Sequence, residues 1–195
     1  MLVEQQAELA RELEADPLTI IKDSNGNHVI QRIIVSVPEQ YTTFITDAFR
    51  GEVATLAKHQ YGCRVLQRML EYGSEAGKAV ILEELHQNAQ QLMVDQYGNY
   101  VVQHVIQSGS PRDRSRLIKA VLQNLVFHIR HKYTSNVVEK CIEWGTLEDR
   151  QEIRRRVSRD GNELRDLIVD QYGNYVVREL AREAAGQGRG QESEG

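Results

Sequence analysis

The sequence predicts an all-α fold built from tandem helical repeats. The nine residues VDQYGNYVV occur at 94–102 and again, unchanged, at 169–177. Three further segments resemble them, and no stretch sustains the polar–apolar alternation of a strand. Self-similarity with a period of 20 to 50 residues is typical of solenoids, in which each repeat packs on its neighbours. We therefore expect one domain made of about five stacked helical units.

The five related segments define the period. They read GNHVIQRII from Gly26, GCRVLQRML from Gly62, GNYVVQHVI from Gly98, TSNVVEKCI from Thr134 and GNYVVRELA from Gly173. Their second residues are spaced 36, 36, 36 and 39 apart, and the three extra residues fall in the RDGN turn at 159–162. The predicted domain, 1–184, divides into repeats 1–37, 38–73, 74–109, 110–145 and 146–184. The polar, glycine-rich segment 185–195 is expected to be a disordered tail.

The third unit shows the helical signals that the others share. Ser74 is a predicted N-cap for a helix that runs to about Met93, and a second helix follows Asp95. Gly109 is the predicted C-terminal cap of that second helix. Its buried face should carry apolar residues at helical spacing, namely Val101, Val102, Val105 and Ile106. Pro38 and Pro111 lie at the start of the second and fourth repeats, where the first helical turn tolerates a missing N–H.

Composition limits the class of protein. The 195 residues are 41% hydrophobic and 27% charged, which is typical of a globular chain. The net charge of -4 lies in residues 1–16, so the body is neutral and lacks a strongly basic patch. Cys63 and Cys141 stand 78 residues apart and form neither a disulfide framework nor a CxxC metal site. With no signal peptide or apolar span in the sequence, we expect a cytoplasmic protein outside the membrane.

Three positions of the second helix vary within a restricted polar set. They are the second, third and sixth residues of each aligned segment, which we call the triplet. In chain order the triplets are Asn27, His28, Gln31; Cys63, Arg64, Gln67; Asn99, Tyr100, Gln103; Ser135, Asn136, Glu139; and Asn174, Tyr175, Arg178. The first and third members are i and i+4 and project side by side, whereas the middle member points about 100° around the helix.

This pattern suits splayed-out single-stranded bases. Planar side chains at the middle position can stack between bases, and the flanking polar pair can address a Watson–Crick edge. Glu139 offers two acceptors to the adjacent N–H donors of guanine. Glutamine offers one donor and one acceptor, which fits adenine, and Asn with Gln can meet the acceptor–donor–acceptor edge of uracil.

Over residues 18–182 the chain resembles the Pumilio, or PUF, RNA-binding repeats. The resemblance implies a right-handed α-solenoid, an armadillo-like α-α superhelix. It also implies that Asn/Gln pairs read uracil, Cys/Gln adenine and Ser/Glu guanine, with the C-terminal repeat on the 5′ base. The implied target is 5′-UGUAU-3′. By the same resemblance we expect binding to mRNA 3′ untranslated regions, post-transcriptional regulation of translation and mRNA stability, and deadenylase or translational-repressor partners.

Two departures from the family pattern qualify this expectation. Family members usually have eight repeats with flanking caps, and this chain resembles the last five, without a recognisable C-terminal cap after Ala184. Arg178 stands where the pattern has glutamine. Because arginine has only donors, it cannot form the usual amide pair with uracil. The first base therefore stays open, with cytosine as a candidate through its O2 and N3 acceptors.

Several titratable residues admit a catalytic or metal-binding interpretation as well as a structural one. Asp95 and Asp170 precede helices and are expected to cap them, not to act as acid or base, and the absence of a nucleophile elbow or phosphate loop argues against an enzyme. His128 and His131 have HxxH spacing, yet without a third ligand we expect an exposed or inter-repeat pair, not a metal site. No cofactor or small-molecule substrate is expected.

Several side chains have structural alternatives to a binding role. Cys63 is either an edge-reading residue or a structural or reactive thiol. Residues expected to pack in the core or between repeats are Tyr61, Tyr97, Cys141, Trp144, Leu147 and Tyr172. The run 154–156 is expected to be solvated helix surface. The remaining alternative for the whole chain is a PUF-like or armadillo- or HEAT-like scaffold that holds a protein or structured RNA without base readout.

Overall fold

The computed structural model describes the backbone of residues 3–191, and within that range all regular structure is helical. Fifteen α-helices and one short 3-10 helix are present there, and strands are absent. The all-α prediction is thus confirmed. The chain divides into two compact units, Met1–Gly109 and Ser110–Gly195.

The first unit holds three repeats. Its helices are α1 (Val3–Glu12), α2 (Pro17–Lys22), α3 (Gly26–Ser36), the 3-10 helix (Glu39–Tyr41), α4 (Thr43–Ala48), α5 (Val53–Ala57), α6 (Gly62–Tyr72), α7 (Glu75–Gln87), α8 (Ala89–Met93) and α9 (Gly98–Ser108). Helix α6 packs against both α3 and α9, so the three triplet-bearing helices of this unit form a row.

The second unit holds two repeats. Its helices are α10 (Pro111–Gln123), α11 (Leu125–Arg130), α12 (Thr134–Trp144), α13 (Leu147–Val157), α14 (Gly161–Val169) and α15 (Gly173–Gln191). Here α12 packs against α15, which pairs the two triplet-bearing helices.

The helix ends follow the capping signals of the sequence. The Ser74 hydroxyl accepts a hydrogen bond from the Gly77 amide at 3.2 Å, and Thr146 forms a capping box with Asp149. Pro111 occupies the first turn of α10. Gly109 ends α9, and its amide donates to the Val105 carbonyl at 2.9 Å. The predicted N-cap at Ser74 and C-terminal cap at Gly109 are confirmed.

Each repeat contains a short additional helix that we did not expect. The predicted helix from Ser74 to Met93 is interrupted at Asn88, where φ is -106° and ψ is 10°. The Asn88 side-chain amide donates to the Glu84 carbonyl at 2.8 Å. The Asn88 backbone amide donates to the same carbonyl at 3.1 Å, so this asparagine ends α7 and begins α8. The single-helix prediction is wrong.

The core is made of apolar residues that recur at the repeat period. The predicted face of α9 is fully buried, since Val101, Val102 and Ile106 have no exposed surface and Val105 is 1% exposed. In the first four repeats, an apolar residue three positions after the first triplet member is also buried. These residues are Ile30, Leu66, Val102 and Val138. Cys141 is buried as expected. Trp144 and Leu147 are 39% and 49% exposed, so they lie outside the core, and their packing between repeats stays a prediction.

The first and last repeats each expose one apolar position that the others bury. Val29 is 42% exposed, and its equivalents Val65, Val101, Val137 and Val176 are fully buried. Ile168 is 51% exposed, and its equivalents Ile21, Ala57, Met93 and Ile129 are fully buried.

Helix α15 continues beyond the last repeat. It extends to Gln191, through most of the segment for which the sequence predicts disorder, and residues 192–195 lie outside the described part of the chain. A helix that is already nucleated by packed residues gains one hydrogen bond with each residue added, which favours such an extension. The boundary at residue 184 stays a prediction.

His128 is a buried histidine in α11. It is 1% exposed, and neither Nδ1 nor Nε2 has a hydrogen-bond partner among the described residues. Burial and the neighbouring His131 lower the pKa of His128. Of the two expected arrangements of the histidine pair, exposed or inter-repeat, the exposed one is wrong for His128. A neutral ring packs as an apolar side chain, in the place that Leu56, Leu92 and Leu167 take in other repeats.

We predict that His128 makes folding stability sensitive to acid. Its folded pKa lies below the ordinary value of 6.5, so the unfolded chain binds more protons and stability falls as the pH drops through the range below 6.5. His128→Leu should remove this part of the pH dependence. His59 and His104, whose pKa values are also lowered, remain in both proteins. Urea unfolding from pH 7.5 to 5 measures the effect, and equal losses in both proteins would contradict it.

Candidate nucleic-acid interface

A tight turn precedes every triplet-bearing helix, and one side chain caps it. Asp95 Oδ1 accepts hydrogen bonds from the amides of Tyr97 and Gly98, both at 2.8 Å. Asp23 and Asp170 do the same in their repeats at 2.7 to 2.9 Å. These hydrogen bonds hold the pKa values of Asp23 and Asp170 below the usual range. The capping role predicted for Asp95 and Asp170 is confirmed.

In the second and fourth repeats histidine replaces this aspartate. His59 Nδ1 accepts from the amides of Tyr61 and Gly62 at 3.2 Å each. His131 Nδ1 accepts from Tyr133 at 3.2 Å and from Thr134 at 3.5 Å. Sequence analysis missed these caps, although the spacing of 36 residues between positions 23, 59, 95 and 131 carries the signal. Burial, with a contribution from Lys22, lowers the pKa of His59, which favours the neutral ring that can accept.

The middle triplet residues all point into solvent. His28, Arg64, Tyr100, Asn136 and Tyr175 are exposed, with 55% of each tyrosine accessible. Each carries a planar group at the surface of its helix. Exposed planar groups repeated once per helix provide stacking surfaces for flat ligands.

The first triplet residues lie deeper. Asn27 has no exposed surface, Asn99 is 1% exposed, and Cys63 and Ser135 are each 4% exposed. Asn174 is half-buried. In each repeat the first triplet residue is therefore more deeply buried than the exposed planar residue that follows it.

In most repeats the third triplet residue is intermediate in exposure between the first and the middle members. Gln31, Gln67, Gln103 and Glu139 are half-buried, and Arg178 is exposed. Gln103 Nε2 donates to Asn99 Oδ1 at 2.8 Å, and Gln31 Nε2 donates to Asn27 Oδ1 at 2.9 Å. The structure thus brings the first and third members of these triplets together, as the i, i+4 spacing predicts.

Glu139 supplies the only carboxylate among the triplets. Its burial, reinforced by the negative charge of Glu179, raises the pKa of Glu139, and Lys140 opposes the shift. A half-buried carboxylate is a strong acceptor for paired N–H donors.

Cys63 is a packed thiol. Its Sγ donates to the Gln60 carbonyl at 3.6 Å, and burial raises the pKa of the thiol. A protonated, buried thiol is a weak nucleophile, which disfavours the reactive-thiol alternative.

Arg178 has a defined position. Its Nη2 donates to Asn174 Oδ1 at 2.8 Å, and its guanidinium carbon lies 5.1 Å from the centre of the Tyr175 ring. The fifth triplet is therefore held together by one hydrogen bond and one cation–π contact. The guanidinium retains further N–H donors for an acceptor-rich ligand.

Two further properties of the described residues concern metals and membranes. Within them, no group of three or more His, Cys, Asp or Glu side chains could hold a metal ion. None of their helices combines the length and apolar character needed to cross a bilayer.

The chain was compared with known protein families and with curated proteins. The model of the Pumilio-family RNA binding repeat matches residues 18–48, 52–86, 88–122, 130–157 and 164–179. A comparison with curated proteins found no match.

Solved structures share the fold. The Puf3 RNA-binding domain bound to the Cox17 RNA 3′ UTR recognition sequence site A is 37% identical over 94% of this chain, with a TM-score of 0.87. PUF-8 in complex with PBE-RNA is 34% identical over 92% of this chain, with a TM-score of 0.86. The RNA-binding domain of yeast Puf5p bound to AAT2 RNA, at 24% identity over 90% of this chain and a TM-score of 0.75, shares the fold. The chain spans 58%, 54% and 50% of the lengths of these three proteins.

Proposed function

Because the chain belongs to the Pumilio family of RNA-binding repeat proteins, we propose that it binds single-stranded mRNA sequence-specifically and reads one base per repeat. The observation that carries this proposal is the layered triplet. In every repeat an exposed planar or cationic side chain lies beside a more deeply placed first member. One layer is suited to stacking and the other to hydrogen bonding with base edges.

Stacking supplies affinity in this proposal. The five middle residues would each contact base faces, and base stacking is worth roughly 1–3 kcal/mol per base. Five bases then give on the order of 5–15 kcal/mol, against an association cost of about 4–15 kcal/mol. We expect five repeats to bind RNA less tightly than a longer array.

Edge readout supplies the sequence. The pairs Asn27/Gln31 and Asn99/Gln103 are assigned to uracil, Cys63/Gln67 to adenine and Ser135/Glu139 to guanine. With the C-terminal repeat on the 5′ base, the proposed core is 5′-UGUAU-3′. The half-buried carboxylate of Glu139 supports the guanine assignment, because it can accept from both N1 and N2 of that base.

The first base is assigned to the Asn174/Arg178 pair. Arg178 presents donors only and is held against Tyr175, which favours a base with acceptors on its edge. Cytosine fits this requirement through O2 and N3. Uracil at this position would have to pair through its oxygens alone.

The proposed biological role is post-transcriptional regulation through mRNA 3′ untranslated regions in the cytoplasm. Support comes from the 37% identical Puf3 domain, which is bound to a 3′ UTR recognition sequence. Control of translation and mRNA stability through deadenylase or translational-repressor proteins is part of the same proposal.

The test is a fluorescence-anisotropy titration with RNA that contains UGUAU, against a control with the GUAU bases scrambled. We expect a clear preference for UGUAU and a shallow salt dependence, because the protein body is near neutral and reads base edges. Equal affinity for both RNAs would contradict the proposal. Tight binding to a structured RNA with no single-strand preference would favour the scaffold alternative.

We predict that Tyr100→Ala weakens binding to UGUAU RNA by roughly 1–3 kcal/mol, or about 5- to 150-fold, because it removes one stacking surface. Tyr72→Ala is the matched control. Tyr72 is 56% exposed, close to the 55% of Tyr100, and lies outside the triplets. Anisotropy titrations of both variants measure the difference. Similar losses for both would show that Tyr100 has no special role.

A further inference from the structure

Two kinds of triplet alternate along the chain. In the first, third and fifth repeats the first member is asparagine, and its Oδ1 accepts a hydrogen bond from the third member. In the second and fourth repeats the first member is Cys63 or Ser135. The hydrogen bonds of the described residues include none that ties Gln67 or Glu139 to those side chains.

The asparagine of the first kind is itself immobilised. Asn99 Nδ2 donates to the Asp95 carbonyl at 2.7 Å. Asn27 Nδ2 donates to the carbonyls of Asp23 and Ser24 at 2.8 and 2.9 Å. Because both asparagines are almost fully buried, rotation would leave polar atoms unpaired out of water. Each Oδ1 is thus a fixed acceptor.

A fixed acceptor determines how the neighbouring glutamine is oriented. The nitrogen end of the Gln103 amide faces Asn99, which leaves Oε1 and one N–H available at the surface. Reversing the amide would place Oε1 against Asn99 Oδ1, an acceptor against an acceptor. Gln67 has no such neighbour, since the Cys63 thiol is directed to the Gln60 carbonyl.

Orientation matters because uracil and adenine present opposite orders of hydrogen-bonding groups. Where uracil has the O4 acceptor, adenine has the N6 donor, and where uracil has the N3 donor, adenine has the N1 acceptor. An amide held in one orientation can therefore match only one of the two bases in a given pose. A carboxylate such as Glu139 has two equivalent oxygens and needs no such restraint.

We propose that Asn27 and Asn99 are positioning residues, which restrain Gln31 and Gln103 so that the first and third repeats discriminate uracil from adenine more strongly than Gln67 alone can. This inference rests on the proposed RNA-binding function. In this inference asparagine acts through the neighbouring glutamine, and the restraint is already present in the protein without RNA.

The first experiment needs no RNA. Nitrogen-15 relaxation of the glutamine side-chain amides in the full chain should show Gln31 and Gln103 more rigid than Gln67. Asn99→Cys, which copies the second repeat, should release Gln103 and leave Gln31 rigid, and Cys63→Asn should restrain Gln67. Equal mobility of Gln67 and Gln103 in the unaltered protein, or no change in Gln103 in the Asn99→Cys variant, would overturn the proposal.

The second experiment measures specificity in the same variants. Asn99→Cys creates the Cys/Gln pair that the second repeat uses, which is assigned to adenine. The ratio of affinities for uracil and adenine at the base of the third repeat should therefore fall by at least roughly 3- to 10-fold, the size expected for one lost hydrogen bond, and shift toward adenine. An unchanged ratio together with a mobile Gln103 would overturn the role in readout. If no RNA binds any variant, the proposed function fails, whereas the relaxation result still tests the restraint itself.

Discussion

Combining Ser135→Asn with Glu139→Gln is expected to change the preferred second base of the RNA from guanine to uracil. The carboxylate accepts from two guanine donors, whereas an asparagine–glutamine pair presents the mixed donors and acceptors that uracil requires. The geometry already exists in this chain as Asn99 and Gln103, whose amides are joined at 2.8 Å. A bidentate base contact gives roughly 1–3 kcal/mol of discrimination, or about 5- to 150-fold.

The control for this exchange is Glu143→Gln. Glu143 lies on the same helix, is exposed and pairs with Lys140. The Glu143→Gln substitution therefore removes one negative charge, as Glu139→Gln does, but outside the triplet. We expect it to leave the base preference unchanged. Competition titrations with UGUAU and UUUAU RNA measure both variants, and a double variant that still prefers guanine would show that Ser135 and Glu139 do not read the base.

Gly62→Ala is expected to destabilise the fold by roughly 1–3 kcal/mol, the usual range for overpacking. An added Cβ at Gly62 would lie 2.6 Å from the Leu56 carbonyl oxygen and 3.1 Å from the Leu56 Cα. These are backbone atoms, which cannot rotate away as a side chain can. The close approach lets α6 begin directly against α5, so relief of the clash would displace the triplet-bearing helix.

Gly161→Ala is the matched control for that prediction. Nothing lies within 4 Å of the added Cβ at Gly161, which opens α14, and alanine favours helix. We expect its free energy of unfolding in urea to be unchanged or increased. If Gly62→Ala and Gly161→Ala unfold at the same urea concentration, the steric argument is wrong.

The fourth repeat shows how the fold accommodates a larger residue at this position. Thr134 stands where the other four repeats have glycine, and its Oγ1 donates to the His128 carbonyl at 2.7 Å. The contact that is too close for the Cβ of alanine at Gly62 becomes a hydrogen bond in this repeat. In the fourth repeat, a side-chain hydrogen bond therefore takes the place of the close backbone contact that glycine permits in the other repeats.

Most features that were correctly predicted from the sequence follow from the repeat period. Aligning VDQYGNYVV placed the buried face of α9, and the same register placed Tyr100 and Tyr175 on the surface. The period also predicted that first and third triplet residues adjoin, as Asn99 and Gln103 do. Periodicity is informative here because every helix faces the same packing demand.

What the sequence did not predict depends on individual hydrogen bonds and packing. Histidine is not a preferred capping residue, so the role of His59 required the position of its Nδ1. The break falls at Asn88, whose side-chain bond to Glu84 a helical pattern does not specify. The exposure of Trp144 depends on its neighbours in space, which a helical pattern does not specify.

The central claim is that five triplets read five bases, one per repeat. Selection from a random single-stranded RNA library by the unaltered chain, followed by sequencing, tests it most directly. We predict enrichment of UGUA followed by uracil, with cytosine also accepted at the first position because of Arg178. Enrichment of no sequence, or of a motif in which the second base is not guanine, would contradict the claim.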